Sequence, residues 1–338
     1  MPIQFSVIIP CYNAEHWIEA TIQSVFNQTI PQSDIEIIVV DDGSKDGSVN
    51  RIRRIKADNL RLIESTNHGV SFARNLGTAA SSGEFIQYLD ADDLLKPNAL
   101  ELRRQVLLTD SADVAYGRYE KLIEQENGTF TTGPVAGQKM EEVSPDPELA
   151  AFSTFWVPPV ALMYRRAIVE KIGPWKRSLP VIQDARFIQD AAYHGARFVF
   201  LPEVLGIYRV HRTISLSKRS VLFERDILKN IYQTEIRWQK DHRLTPARMA
   251  YLAETYQRSA EKFFGQDSVR FQFALNGHRR WRKPYALGLV DLGAVLNASL
   301  GTAAARILMT PAWRCARGVR SCQRRWQQWW WQGKGKSI

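Results

Sequence analysis

Residues 84–93, EFIQYLDADD, decide how the rest of the chain is read. The apolar run through Leu89 has the length and composition of a buried strand, and it stops at carboxylates. In an open α/β sheet that is where ligands sit, in the crevice beyond the carboxyl ends of the strands. Asp90 and Asp92 therefore read as acids on a sheet rim. Their hard oxygens suit Mg2+ or Mn2+, whose bond to a diphosphate offsets phosphate charge that protein groups would otherwise have to meet.

Working outward, the same plan recurs. Residues 5–10, FSVIIP, form a continuous apolar run; a turn from Cys11 to Ala14 then leads into helical spacing through Ile18, Ile22, Val25 and Phe26. Residues 35–40, IEIIVV, run into Asp41-Asp42-Gly43-Ser44, and 49–55 have helical spacing. A short strand at 60–63 and a helix over 70–80 complete the series. Strands alternating with helices in this way imply an α/β fold with a mostly parallel sheet and right-handed crossovers, its polar side chains gathered on one rim. Beyond Pro97 the pattern predicts a helix to about Leu108, a strand over 114–119 and a polar, Gly-rich loop through Gly137. Strands at 160–164 and 197–201 follow, with a helix from Asp184 to His194 between them. From Ser217 to about Arg280 the spacing is that of long helices.

The chain has 338 residues, 45% hydrophobic and 24% charged, enough for one large or two ordinary domains with a full core. Its net charge of +10 is unevenly placed. From Gly277 onward there are 12 Lys or Arg and one acid, Asp291, which leaves residues 1–276 with 33 basic and 34 acidic side chains. The amino-terminal stretch, MPIQFSVIIP, lacks the charged start and cleavage site of a secretory signal, so a cytoplasmic location is expected. Cys11, Cys315 and Cys322 are odd in number and without metal-ligand spacing, which suggests reduced thiols. No uninterrupted apolar stretch reaches the roughly 20 residues of a spanning helix.

Four ordered blocks carry a family resemblance: SVIIPCYNAEHWIEATIQSVFNQT (6–29), EIIVVDDGSKDGS (36–48), NHGVSFARNLGTAASSGEFIQYLDADD (67–93) and IQDARFIQDAAYHGARFVFLPEVLGIYRVH (182–211). Together they resemble family 2 glycosyltransferases, over about residues 4–216. The resemblance implies the GT-A fold and inverting, metal-dependent sugar transfer from a nucleoside diphosphate, with UDP favoured, to a hydroxyl of a glycan or lipid-linked acceptor in polysaccharide or glycoconjugate synthesis. It also implies roles for residues. Pro10, Tyr12 and Asn13 would line the nucleotide pocket, although Asn13 also reads as a helix cap. Asp41 and Asp42 would meet the base or ribose, although one of them reads equally as an Asx turn closed by Gly43. Arg74 would lie near the base or diphosphate, or else bridge Asp42 or Asp90.

Asp92 is the expected metal ligand, assisted by His211; Asp90, with Ala91, would face the ribose or support the ligand. Asp93 reads as the cap of the following helix. Asp184 would be the base that takes the acceptor hydroxyl's proton while also standing as N-cap of its helix. The family usually has Glu-Asp here, whereas this chain has Gln183-Asp184. Losing that neighbouring acid removes a like charge, and Gln183 is expected to orient Asp184 or the acceptor. Arg209 is a weaker diphosphate candidate. The rivals are a nucleotidyltransferase, which should show a basic Gly-rich loop where this chain has PCYNAEHW, and a non-catalytic sugar-nucleotide-binding protein, which would be expected to lose the metal or base carboxylate.

Three regions follow: a GT-A domain over 1–216, a helical extension over 217–280 and a basic, Trp-rich segment over 281–338. Wound as a helix, residues 312–330 put Arg314, Arg317, Arg320, Arg324 and Arg325 in one arc. Ala316, Val319, Cys322, Trp326, Trp329 and Trp330 fall opposite, while Trp313 and Trp331 break the pattern. Indoles at headgroup depth and cations against anionic lipid fit an in-plane membrane-surface helix, in preference to packing on the catalytic domain or binding nucleic acid.

Overall fold

The computed structural model describes residues 3–212 and 220–282. Four strands, β1 (Phe5–Cys11), β2 (Ile35–Asp41), β3 (Leu60–Glu64) and β4 (Phe85–Tyr88), run parallel in the order β3-β2-β1-β4. Helices α1 (Ile18–Phe26), α2 (Ser48–Arg54) and α3 (Val70–Ala79) make the crossovers. Both faces of the sheet are covered, which is why β1 and β2 read as unbroken apolar runs rather than alternating ones. Val7 and Ile9 share a core with Ile18, Ile22 and Val25 of α1. Ile8 turns to the other face with Ile86 and Tyr88, and Ile38 and Val40 pack there with Ala73 of α3. Gly77 lets α3 lie close to the sheet, since a Cβ there would stand 2.5 Å from Ile8 Cγ2. The chain moves outward from β1 to β3 and then returns to place β4 on β1's other side. The order reverses between β1 and β4, so a ligand crevice opens beyond their carboxyl ends.

The second half of the sheet is mixed. After β5 (Leu94–Leu95) and α4 (Ala99–Thr109) come β6 (Val114–Glu124) and β7 (Phe130–Ala136). Then follow α5 (Met140–Val143), α6 (Pro147–Phe152), β8 (Leu162–Arg165), α7 (Arg166–Ile172), α8 (Gln183–Tyr193) and β9 (Phe198–Val210). The order continues β4-β8-β6-β9-β5, with β8 antiparallel to both neighbours and β6 parallel to β9.

Here the structure departs from the periodicity. The stretch expected to be a loop through Gly137 contains the β6–β7 hairpin. Gly133 and Pro134 hide β7 from a strand pattern; among the described residues it pairs only with β6, so the missing proline N–H costs little. The strand expected at 197–201 continues to Val210. Pro202 interrupts its sequence pattern, but it falls where the β6 pairing jumps from Leu201 to Val204, a bulge that tolerates proline.

The chain divides into two compact units after Asp226, within α9 (Ser220–Lys240). The second unit also holds α10 (Pro246–Phe263) and α11 (Ser268–Trp281), whose first turns are capped by Thr245 and Asp267. Leu252, Tyr256, Phe271 and Leu275 are buried in this unit. Glu235, fully buried, accepts hydrogen bonds from Tyr256, Arg280 and the Trp281 indole. Among the described residues no helix is long and apolar enough to cross a membrane. The Arg/Trp segment over 312–330 lies outside the described residues.

Candidate active site

The rim is built from strand ends. β1 delivers Pro10 and, just past it, Tyr12 and Asn13; β2 delivers Asp41 and Asp42; β4 leads into Asp90-Ala91-Asp92-Asp93. Pro10 is buried beside Val40, and Tyr12 is half exposed. Asn13, held at φ 51°, does not cap α1, which begins only at Ile18. Instead its Oδ1 accepts the Lys45 N–H at 2.8 Å, and its own N–H donates to Ser44 Oγ at 2.9 Å, tying two rim loops together.

The two neighbouring acids divide their tasks. Asp41 Oδ2 closes an Asx turn on the N–H groups of Gly43 and Ser44, at 3.1 and 3.0 Å. Asp42 is committed on both oxygens to the N–H groups of His68 and Gly69, at 2.8 and 2.7 Å. Asp41 Oδ1 is buried without a hydrogen-bond partner among the described residues. Of the pair, Asp41 therefore keeps an acceptor to offer.

Arg74 is almost fully buried. Its Nη2 donates to Asp90 Oδ1 at 2.5 Å, and its guanidinium lies 4.3 Å from the centre of the Trp175 ring. Trp175 in turn stacks on Phe187 of α8, centroids 4.1 Å apart and planes 5° from parallel. Arg74 thus bridges to Asp90. Its Nε and Nη1 have no partner among the described residues.

Ala91 is pinned through its carbonyl by the Thr21 hydroxyl at 2.8 Å. Asp93 does not cap the next helix: α4 begins at Ala99, after Asn98, and β5 intervenes. Asp93 instead points inward, where its Oδ1 accepts the Arg209 N–H at 2.9 Å. Arg209 also donates from its guanidinium to the Asp92 carbonyl and lies 4.9 Å from the Trp17 ring centre. The carboxyl end of β9 is therefore stitched to the acidic loop.

Next to it, His211 Nε2 stands 3.0 Å from Asp92 Oδ2, and Nδ1 faces Glu124 Oε2 of β6 at 3.6 Å. The imidazole packs between Trp17 and Phe130, at 5.3 and 5.7 Å. One carboxylate oxygen and one imidazole nitrogen in contact suit Mn2+ or Mg2+, provided a ligand supplies further oxygens. Among the described residues no group of three His, Cys, Asp or Glu gathers as a self-sufficient metal cage. The donor set fits an ion shared with a phosphorylated ligand.

Asp184 lies in the first turn of α8, whose N-cap is Ile182 rather than Asp184. Its Oδ1 accepts the Ala185 N–H and its Oδ2 the Trp156 indole N–H, both at 2.8 Å. The hydrogen-bond partners of Asp184 do not include Gln183, whose Oε1 is buried without a hydrogen-bond partner among the described residues. Trp156 carried no sequence signal beyond being a tryptophan before Val157-Pro158-Pro159.

The acids share one field. Burial raises the affinity of Asp90 for a proton; Arg74 opposes this, and the charges of Asp92 and Asp184 add to it. Burial, then Asp92 and Asp90, raise Asp93 well above the usual carboxylate range. Burial keeps the Tyr208 phenol protonated, reinforced by Asp93, Asp90, Asp184 and Asp92. Asp184 thus lies within electrostatic reach of the acidic loop, and together these acids concentrate negative charge that a bound cation would relieve.

A model of the family described as glycosyl transferase family 2 matches residues 6–173. An uncharacterised glycosyltransferase of Nostoc sp. is 33% identical over 218 residues, 62% of this chain and 65% of its own length. The Escherichia coli UDP-Glc:alpha-D-GlcNAc-diphosphoundecaprenol beta-1,3-glucosyltransferase WfgD is 36% identical over 138 residues, 40% of this chain and 52% of its own. The match thus spans less than two thirds of either relative's length. Among solved structures, S. aureus TarS in complex with UDP-GlcNAc superposes with a TM-score of 0.57 at 19% identity, covering 87% of this chain and 92% of that one. The mannosyltransferase PcManGT from Pyrobaculum calidifontis, in complex with GDP-Man and Mn2+, gives 0.55 at 18%, covering 92% and 85%. At these identities the two structures establish the GT-A fold alone.

Proposed function

The chain belongs to glycosyltransferase family 2, and from that premise we propose that it moves a sugar from a nucleoside diphosphate donor, a UDP-sugar, to a hydroxyl of a glycan or lipid-linked acceptor, with inversion at the anomeric carbon. The observation that carries this reading is that Asp184 and the acidic loop of Asp90 and Asp92 lie together near Tyr208, with Trp156 joining the Tyr208 ring to Asp184 through its own ring and N–H. Relatives point the same way: WfgD is named for a UDP-glucose donor and a diphosphoundecaprenol acceptor, and the TarS structure holds UDP-GlcNAc.

In this reading Tyr12 covers the base, and the open Asp41 Oδ1 accepts a hydrogen bond from its imide N–H. Arg74 holds Asp90 in place toward the ribose. Asp92 and His211 would hold Mn2+ or Mg2+, which supplies positive charge to a departing diphosphate. Arg209, anchored on the same loop, adds a fixed cation beside it. Asp184, held by Trp156 and the first turn of α8, takes the proton from the acceptor hydroxyl as that oxygen attacks from the face opposite the diphosphate. The single displacement inverts the anomeric centre. The basic segment beyond residue 282 would bring the enzyme to an anionic membrane surface, where lipid-linked acceptors reside.

Incubation with a panel of UDP-, GDP- and dTDP-sugars and Mn2+ tests the reading. Nucleoside diphosphate release that rises with added acceptor is expected. Pyrophosphate release, or binding without turnover across the panel, would overturn it.

A further inference from the structure

Trp156 belongs to none of the four sequence blocks that carry the family resemblance. It lies in the connection between α6 and β8, half buried, and its indole N–H meets the outer oxygen of Asp184 at 2.8 Å. Its ring stands 5.9 Å from that of Tyr208, the planes 74° apart. Tyr208, on β9, lies within electrostatic reach of Asp93, Asp90, Asp184 and Asp92. The two rings thus form an aromatic corner beside the base, its polar edge turned to Asp184.

We infer that Trp156 is a positioning residue with two separable tasks: its N–H fixes the carboxylate of Asp184, and its ring, braced edgewise by Tyr208, offers the face on which a pyranose ring of the acceptor lies. This deepens the proposed transfer reaction and rests on it. The chemistry is that of an amphipathic side chain. A carboxylate that must receive a proton along one direction gains from a donor that fixes its rotation without supplying a transferable proton, and an indole N–H is such a donor. The C–H face of a pyranose packs on an aromatic face while its hydroxyls point to the rim, where one can reach Asp184. The acceptor class is then a glycan or glycolipid that ends in a sugar, as opposed to a bare alcohol.

Two substitutions separate the tasks. Trp156→Phe keeps a ring and removes the N–H; Trp156→Gln keeps an N–H at similar reach and removes the ring. The assay uses the donor that releases nucleoside diphosphate in the panel above, Mn2+, and soluble 4-nitrophenyl glycosides as acceptors, with donor hydrolysis to water measured alongside. W156F is expected to lower kcat about tenfold, in transfer and in hydrolysis alike, with acceptor KM near wild type. W156Q is expected to raise acceptor KM about fivefold or more while lowering the hydrolysis kcat less than W156F does. Nucleotide affinity in the presence of Mn2+ should be unchanged in both. Equal losses of kcat, acceptor KM and nucleotide affinity in both variants would reduce Trp156 to a core residue and overturn the inference. So would variants that match the wild type. A wild type that releases no nucleoside diphosphate from any donor would overturn the proposed function, and this inference with it.

Discussion

Asp184 and Asp92 both lie near Tyr208 but are held by different partners, so their loss should separate cleanly. Asp184→Asn keeps the size of the side chain but offers one acceptor oxygen to the two N–H groups, of Trp156 and Ala185, that Asp184 serves, and it removes the proton acceptor. Transfer should fall by roughly a thousandfold, with metal-dependent nucleotide binding, read by calorimetry, nearly intact. Asp92→Ala takes away the carboxylate that touches His211, and nucleotide affinity itself should drop by at least about tenfold in the presence of Mn2+. Undiminished turnover in the first variant would remove Asp184 from the mechanism. Most of these residues were legible because the family's blocks hold them in short, ordered motifs. Their local geometry was not. Asn13 and Asp93 both read as helix caps, the commonest use of such residues, yet each reaches across sequence distance, to Lys45 and to Arg209. A contact between residues 93 and 209 leaves no periodic trace in either stretch, and neither does one between 156 and 184.

At the scale of elements, the junction of β1, β2 and β4 is tied by one carboxylate. Glu36 Oε1, on β2, accepts the Ser6 hydroxyl at 2.6 Å and the N–H groups of Ser82 and Gly83 at 2.5 and 3.1 Å. Burial would raise its pKa, but these hydrogen bonds outweigh that and leave it lowered. A carboxyl group with a depressed folded-state pKa stabilises above its unfolded value of about 4.3, and that contribution is lost as pH falls through the folded value. Glu36→Gln should therefore cost about 2 kcal/mol at pH 7 by chemical denaturation, and the gap to wild type should narrow as pH drops below about 4. The same junction admits no side chain at Gly83, where a Cβ would lie 2.7 Å from the backbone of Phe5 and Ser6. Gly83→Ala should lower stability by about 2 kcal/mol at any pH, which distinguishes a steric loss from an electrostatic one. The parallel half of the sheet was readable because each strand there is a short apolar run between turn residues. The β6–β7 hairpin and the long β9 were not, because Gly133, Pro134 and Pro202 break the pattern at an edge and at a bulge, where the chain tolerates them.

For the whole molecule, charge and chemistry are segregated along the chain. Residues 1–276 are nearly neutral, and the positive excess begins at Gly277. An anionic surface would thus attract the end of the chain, where the positive excess lies. The full chain is expected to float with phosphatidylglycerol-containing liposomes and to be released by salt, since exposed charges are screened within about 8 Å at physiological ionic strength. A chain lacking residues 310–338 should stay in the dense fraction. Equal partition of the two forms would refute the membrane role of that segment.

The connector that carries Trp156 is separate in sequence from the loops around Asp41 and Asp92. That independence makes the scaffold modular from an engineer's standpoint. Grafting residues 137–158 of a relative into this chain should re-address it to another recipient while it goes on consuming the same activated sugar.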